Sequence, residues 1–102
     1  MVLYTRGYEH DVIRADVLRI LSNPARLQIL ETLTEGKKSV SEIVIVTKLN
    51  QTNVSQQLAL FRHKGWVKTE KNGKNVNYYI PTPKINQAIS IIKEAADLMN
   101  GK

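Results

Sequence analysis

The stretch that decides the fold runs from Gln51 to Trp66 and reads QTNVSQQLALFRHKGW. Within it, Val54, Leu58 and Phe61 recur at helical spacing, which predicts a helix with one apolar edge turned toward a core. The opposite edge consists of small amide and hydroxyl side chains, and the stretch contains no acidic residue. A purely structural surface helix more often carries pairs of Glu and Lys, so this polar edge points to a binding role.

Amides and hydroxyls are the groups that pair with base edges and phosphates in the DNA major groove. A carboxylate would be repelled by the phosphates that line such a groove, so the lack of acidic residues fits the same partner. The sequence therefore predicts that this helix contacts DNA. The helix residues expected to do so are Gln51, Thr52, Asn53, Ser55, Gln56 and Arg62.

Composition agrees with a polyanionic partner. The chain has 102 residues, enough for one small domain over residues 1–102. Fifteen Lys and Arg residues against nine Asp and Glu residues give a formal net charge of +6. Such a charge favours nucleic acid first and an anionic membrane second, although many soluble domains are mildly basic and charge alone discriminates weakly.

Several function classes are excluded or disfavoured by what the sequence lacks. The absence of cysteine excludes disulfides, thiolate metal sites and thiol redox switches. No signal peptide or membrane-spanning run is apparent, so we expect a cytoplasmic protein with no membrane partner. No motif brings a nucleophile to a base and no Gly-rich loop could hold phosphate, so we expect neither an enzyme nor a cofactor.

Four further helices are predicted around the Gln51 helix. The first covers residues 9–21, with residues 1–8 as a candidate flexible arm. The second covers residues 25–35, because Asn23 suits an N-cap and Pro24 suits the first helical position. The last covers residues 84–99 as an apolar stripe at helical spacing.

A third, short helix is predicted through Lys48, although its residues also suit a strand. The β-branched run over residues 43–47 favours a strand by propensity alone. Ser39 and Glu42, however, have the spacing of a capping box, which marks a helix start. We therefore predict a helix here.

A β-hairpin is predicted after the Gln51 helix. Residues 66–71 and 75–80 flank Asn72-Gly73, a dipeptide typical of tight hairpin turns. Three helices, the Gln51 helix, this hairpin and a last helix predict a mainly α (α+β) winged helix-turn-helix, in which the hairpin is the wing. The residues expected to contact the DNA backbone are Lys68, Lys71, Lys74 and Arg26, although Arg26 is equally suited to pair with a carboxylate.

The motifs of this chain, taken in order, resemble those of the ArsR/SmtB family. They are LSNPARLQIL at residues 21–30, NVSQQLALFRHKGWV at residues 53–67 and YYI at residues 78–80. The resemblance implies a homodimeric repressor that binds a palindromic operator in double-stranded DNA. It places Gln51, Thr52, Ser55 and Gln56 at positions that contact operator DNA in relatives, where the position of Gln56 is frequently His.

The resemblance also implies a dimer interface built by the first and last helices, with residues 84–100 as the dimerisation helix. An interface of this kind gives the apolar stripe of the last helix a reason to exist. The residues expected in the interface are Ile13, Val17, Ile85, Ile89, Ile92, Ala96 and Met99.

The metal sites of the family are not matched here. Ser39-Val40-Ser41 stands where one site has Cys-Val-Cys, and Lys84, Asn86, Asp97 and Asn100 stand where another has carboxylates and histidines. His10, flanked by acidic residues, is better explained as a solvated helix start than as a ligand. We therefore predict no metal site and a regulator of the non-metal-sensing type.

The sequence leaves the inducer and the exact role open. An unidentified small-molecule inducer is a candidate partner. A repressor controlled only by its own concentration is a further alternative, which the missing metal and thiol ligands support. Two functions of a different kind also fit this fold: a non-specific nucleoid-type DNA binder and a winged-helix protein-interaction module.

Overall fold

The structure is a computed structural model that describes the backbone of residues 2–101 and the side chains of residues 9–101. Within that range five helices and two strands follow one another along the chain. In order they are α1 (Val2–Leu21), α2 (Pro24–Thr34), α3 (Val40–Thr47), α4 (Gln51–His63), β1 (Lys68–Asn72), β2 (Asn75–Tyr79) and α5 (Pro83–Met99). Helices α3 and α4 form a helix-turn-helix and the hairpin forms the wing, so the predicted fold class is confirmed.

Helix α1 is longer than predicted. Its backbone is helical from Val2, whereas the sequence pattern places the start at residue 9. Residues 2–8, predicted as a candidate arm, thus belong to α1, and their side chains lie outside the described residues.

Local capping chemistry sets the starts of α2, α3 and α4. The Asn23 and Asn50 side chains accept hydrogen bonds from the N–H groups of Arg26 and Asn53 at 3.1 and 2.7 Å. At α3 the capping box is complete, since Ser39 Oγ accepts from the Glu42 N–H at 3.2 Å and Glu42 accepts from the Ser39 N–H at 2.9 Å. These bonds satisfy N–H groups that a helix start leaves unpaired, and α3 is helical despite its β-branched residues.

The capping box predicts an acid-dependent loss of stability. The hydrogen bond from the Ser39 backbone N–H, and then that with the Ser39 side chain, lower the pKa of Glu42. A carboxylate with a lowered pKa in the folded state stabilises the protein above its unfolded-state pKa, and this contribution is lost as the pH falls through the lowered value. We expect the melting temperature of the wild type to fall more between about pH 6 and about pH 3 than that of Glu42→Gln.

The control for that comparison is Glu94→Gln, which removes one negative charge from an exposed site on α5. This variant should keep the wild-type slope of melting temperature against pH. Equal slopes for Glu42→Gln and the wild type would show that the cap does not act through the Glu42 carboxylate.

The core lies between the end of α1, the helices α2, α3 and α4, and the first half of α5. Phe61 is fully buried and stacks on Trp66, with ring centroids 6.0 Å apart and planes 8° from parallel. Trp66 thus packs behind α4, in the chain segment before β1. The buried residues are Ile20, Leu21, Ile29, Leu30, Leu33, Ile43, Val54, Leu58, Phe61, Val67, Ile80 and Ile89.

The wing turn is one residue shorter than predicted, since the predicted strands leave residues 72–74 between them and Asn72 belongs to β1. Asn72 pairs with Asn75 across the antiparallel strands, so Gly73 and Lys74 form the two-residue loop. Gly73 has a φ of 65°. This register places the positive φ on a residue without Cβ, whereas a loop at Asn72-Gly73 of the favoured type would require positive φ at both residues.

The wing is fastened to the loop between α2 and α3. The Lys38 N–H donates to the Tyr78 carbonyl at 3.0 Å, and the Tyr78 N–H donates to the Lys38 carbonyl at 2.8 Å. This bridge adds one residue of a third strand to the hairpin. The wing therefore shares backbone hydrogen bonds with the loop that leads into the helix-turn-helix.

Candidate nucleic-acid interface

The outward edge of α4 is as polar in the structure as in the sequence. Val54, Leu58 and Phe61 are buried against the core. The side chains on the other side of the helix are exposed, namely Gln51, Thr52, Ser55, Gln56 and Arg62. No carboxylate belongs to this helix, so the exposed edge presents hydrogen-bonding groups and positive charge to an approaching duplex.

Asn53 lies on the flank of this edge and is half-buried. Its side-chain oxygen accepts a hydrogen bond from Gln57 Nε2 at 3.0 Å. Gln57 in turn accepts from Arg26 Nε at 2.8 Å, so α2 is linked to α4 through two side chains. Sequence reasoning did not find this contact, because Arg26 and Gln57 are 31 residues apart.

Arg26 donates hydrogen bonds to two groups of its own domain. The side chain is half-buried, and its guanidinium also donates to the Ile20 carbonyl at 3.4 Å. The predicted pairing with a carboxylate is wrong, because within residues 9–101 the hydrogen-bond acceptors of Arg26 are an amide and a carbonyl. The predicted phosphate contact remains a prediction.

The basic residues of the wing do not share one surface. Lys68, Lys71 and Lys74 are all exposed, with Lys74 in the loop at the tip. Side chains alternate between the faces of a strand, so Lys68 and Lys71 point to opposite faces of the hairpin. Lys71 lies opposite Val76, and Lys68 lies opposite Tyr79.

An ion pair that the sequence did not reveal covers one face of the wing. The Lys37 ammonium pairs with the Glu70 carboxylate and lies 5.3 Å from the centre of the Tyr79 ring. The hydrogen bond to Glu70 raises the pKa of Lys37, so the lysine stays charged. Lys37 thereby offsets the acidic group that the wing would otherwise bring toward DNA phosphates.

A second ion pair holds the end of α4 to α1. Lys64 Nζ lies 3.3 Å from an Asp16 carboxylate oxygen, and Arg19 bonds to the other oxygen of Asp16. The hydrogen bond from Arg19, followed by that from Lys64, lowers the pKa of Asp16. Lys64 is thus paired with a carboxylate beside the interface.

Several apolar side chains of α1 and α5 are exposed. Ile13 is 66% exposed and Met99 is 88% exposed, while Val17 and Ile85 are half-buried against the core. Residues 91–100 are all exposed, so the second half of α5 is not buried by the described part of the chain. Ile89, which belongs to the predicted dimer set, is only 2% exposed and packs in the core of its own domain.

Neither a metal cluster nor a membrane-spanning helix is found in the described part of the chain. Its His, Asp and Glu residues form no group of three or more that could hold an ion. Asp11, beside His10, accepts a hydrogen bond from Arg14 at 3.1 Å. No helix there combines the length and apolar character needed to cross a membrane.

Comparisons with known proteins agree with this geometry. Residues 23–69 match the family described as bacterial regulatory protein, arsR family. The biofilm growth-associated repressor of Xylella fastidiosa is 36% identical over 78 residues, which cover 76% of this chain and 68% of that protein. The transcriptional activator HlyU of Vibrio cholerae is 33% identical over 76 residues, which cover 74% of this chain and 70% of that protein.

A solved structure is similar over nearly the whole chain. It is the homodimeric winged helix-turn-helix DNA-binding domain Mb0332 of Mycobacterium bovis, determined by solution NMR. The TM-score is 0.75 at 28% sequence identity, with 90% of this chain and 84% of that chain covered.

Proposed function

Because this chain belongs to the arsR family of bacterial DNA-binding transcriptional regulators, we propose that it represses transcription as a homodimer bound to a palindromic operator. The observation that carries the proposal is the exposed, acid-free polar edge of α4. In this proposal the protein acts in the cytoplasm on double-stranded DNA. It has no catalytic activity and needs no cofactor. Contacts to bases come from α4, and contacts to the backbone come from the wing lysines.

The proposed dimer rests on the apolar surface of α1 and α5. Several side chains there, Ile13, Ile92 and Met99 among them, are too exposed for a chain that stays alone in water. Burying them against a second copy would enlarge a core that is modest for a chain of this length. The similar Mycobacterium bovis domain is described as homodimeric, which supports the proposal that this chain forms a dimer.

Ile13→Glu is expected to convert the dimer to a monomer at micromolar protein concentration. The substitution places a charge on a surface that must lose water on association, and an unpaired buried charge is costly. Sedimentation velocity measures the change. Ile45→Glu is the matched control, because Ile45 is also largely exposed but lies on α3, away from the proposed interface. The Ile45→Glu protein should stay dimeric. If Ile13→Glu stays dimeric as well, the interface lies elsewhere.

DNA binding by the wild type is the direct test of the proposal. Fluorescence anisotropy would compare DNA from the protein's own upstream region with a scrambled duplex of equal length, over a series of salt concentrations. We expect preferential binding with one dimer per duplex and an affinity that falls steeply with salt. Equal binding to both duplexes would favour the non-specific binder, and binding to neither would favour the protein-interaction module.

Lys74→Ala is expected to weaken binding to both duplexes by a similar factor. Lys74 lies in the exposed loop of the wing, where it would contact phosphate rather than bases. The slope of log affinity against log salt should therefore fall by about one for each phosphate contact removed. Anisotropy titrations over the same salt series measure the slope. A loss confined to the specific duplex would show instead that Lys74 contributes to sequence recognition.

The direction of regulation has its own test, since the Vibrio cholerae relative is named an activator. A reporter gene placed behind the upstream region is expected to lose expression when the protein is produced. Increased expression would overturn repression while leaving operator binding intact.

A further inference from the structure

The two hydrogen bonds from Arg26 to Gln57 and from Gln57 to Asn53 have only one consistent direction. A guanidinium can only donate, so the oxygen of Gln57 must face Arg26 Nε, which lies 2.8 Å away. The amide nitrogen of Gln57 must then face Asn53, whose oxygen accepts at 3.0 Å. The orientation of each amide is thus fixed by the chemistry of its neighbour.

This arrangement leaves the side-chain amide nitrogen of Asn53 available to donate a hydrogen bond. Among residues 9–101, Asn53 Nδ2 makes no hydrogen bond and is not one of the buried atoms without a partner, so it reaches solvent. It does so in the first turn of α4, next to the exposed Thr52 and one turn before the exposed Gln56. The Asn53 backbone N–H is already used by the Asn50 cap at 2.7 Å.

We propose that Arg26, acting through Gln57, orients the Asn53 side chain so that it presents only an N–H donor to DNA. Asn53 is then selective for a hydrogen-bond acceptor, either a phosphate oxygen or an acceptor on a base edge. Arg26 is a positioning residue in this arrangement, because its guanidinium donates to groups inside the domain. The inference rests on the proposed operator binding. It adds that Asn53 is the hydrogen-bond donor in its contact with DNA.

Gln57→Glu tests the polarity without removing the bond to Arg26. A carboxylate still accepts from the Arg26 guanidinium, but it cannot donate to Asn53. The Asn53 amide should therefore rotate, donate to the new carboxylate and turn its oxygen toward DNA. The Asn53 oxygen would then face a hydrogen-bond acceptor on the DNA, and no hydrogen bond could form. We expect affinity for the preferred duplex to fall about tenfold.

A double-mutant cycle separates this effect from the added negative charge. Gln57→Glu is measured in the wild type and in an Asn53→Ala background, where no amide is left to rotate. The charge alone lowers affinity equally in both backgrounds, whereas the proposed reorientation gives a much larger loss when Asn53 is present. Equal losses in the two backgrounds would overturn the proposal.

Base and phosphate acceptors are distinguished by selecting bound sequences from randomised duplexes. A changed base preference at one position of each half-site, with Gln57→Glu, identifies a base edge. An unchanged preference with uniformly weaker binding identifies a phosphate. Both results uphold the donor polarity.

A second variant keeps the proposal testable if Gln57→Glu does not fold. Arg26→Met frees Gln57 to rotate, so the side-chain amide signals of both Gln57 and Asn53 should move in a proton–nitrogen correlation spectrum. If the Asn53 signal does not move, Arg26 does not orient Asn53 through Gln57 and the proposal is overturned. A wild-type protein that fails to prefer any duplex would instead refute operator binding, so the two failures are distinguishable.

Discussion

Replacing Ile43 with alanine is expected to lower the free energy of unfolding by about 2–5 kcal/mol. Ile43 is 0% exposed and is the buried residue of α3, the first helix of the helix-turn-helix. Truncation removes apolar contacts and leaves a cavity among tightly packed neighbours. Because a domain of this kind is stable by only about 5–15 kcal/mol, this single change removes a large share of its stability.

Ile45→Ala is the matched control on the same helix. Ile45 is 72% exposed, so the same chemical change should alter the free energy of unfolding by about 0.5 kcal/mol or less. Urea unfolding followed by circular dichroism measures both, at one protein concentration because the proposed dimer would add to the apparent stability. Similar losses for the two variants would mean that α3 packs in a different rotation about its axis.

Gln56→Glu is expected to reduce operator affinity about a hundredfold. Gln56 is exposed on the outward edge of α4, where its amide can both donate to and accept from a base edge. A carboxylate at that position loses the donor and brings a negative charge into a groove lined with phosphates, and like charges at an interface are costly.

The control for this substitution is Gln87→Glu on α5. It makes the same chemical change at an exposed position outside the proposed DNA-contacting surface, so it also reduces the net charge by one unit. Anisotropy titrations should show a small loss for Gln87→Glu and a large one for Gln56→Glu. Comparable losses would indicate that affinity follows net charge alone and that α4 does not enter the groove.

The parts of the fold that were predicted correctly depend on residues near one another in the sequence. The Asn23, Ser39 and Asn50 caps each bond to a group three residues ahead. The capping box at Ser39 outweighed the strand propensity of the β-branched residues that follow it, so α3 was placed correctly. The facing of α4 followed from helical periodicity.

The incorrect or missing predictions depend on contacts across the chain. The turn register is fixed by cross-strand pairing such as Thr69 with Tyr78, which a turn dipeptide does not contain. Periodicity identified the apolar stripe of α5 but could not tell that Ile89 packs inside its own domain while Met99 is exposed. The link between Arg26 and Gln57 joins two helices and has no local signature.

The bridge between Lys38 and Tyr78 limits how far the wing can move relative to the helix-turn-helix. Two backbone hydrogen bonds fix the base of the hairpin to the loop before α3, so they restrain the spacing between the wing and the helix-turn-helix. A duplex whose groove width does not match that spacing can contact the wing or α4 well, but not both. We therefore expect base pairs that no side chain touches to alter affinity through the local width and stiffness of the DNA.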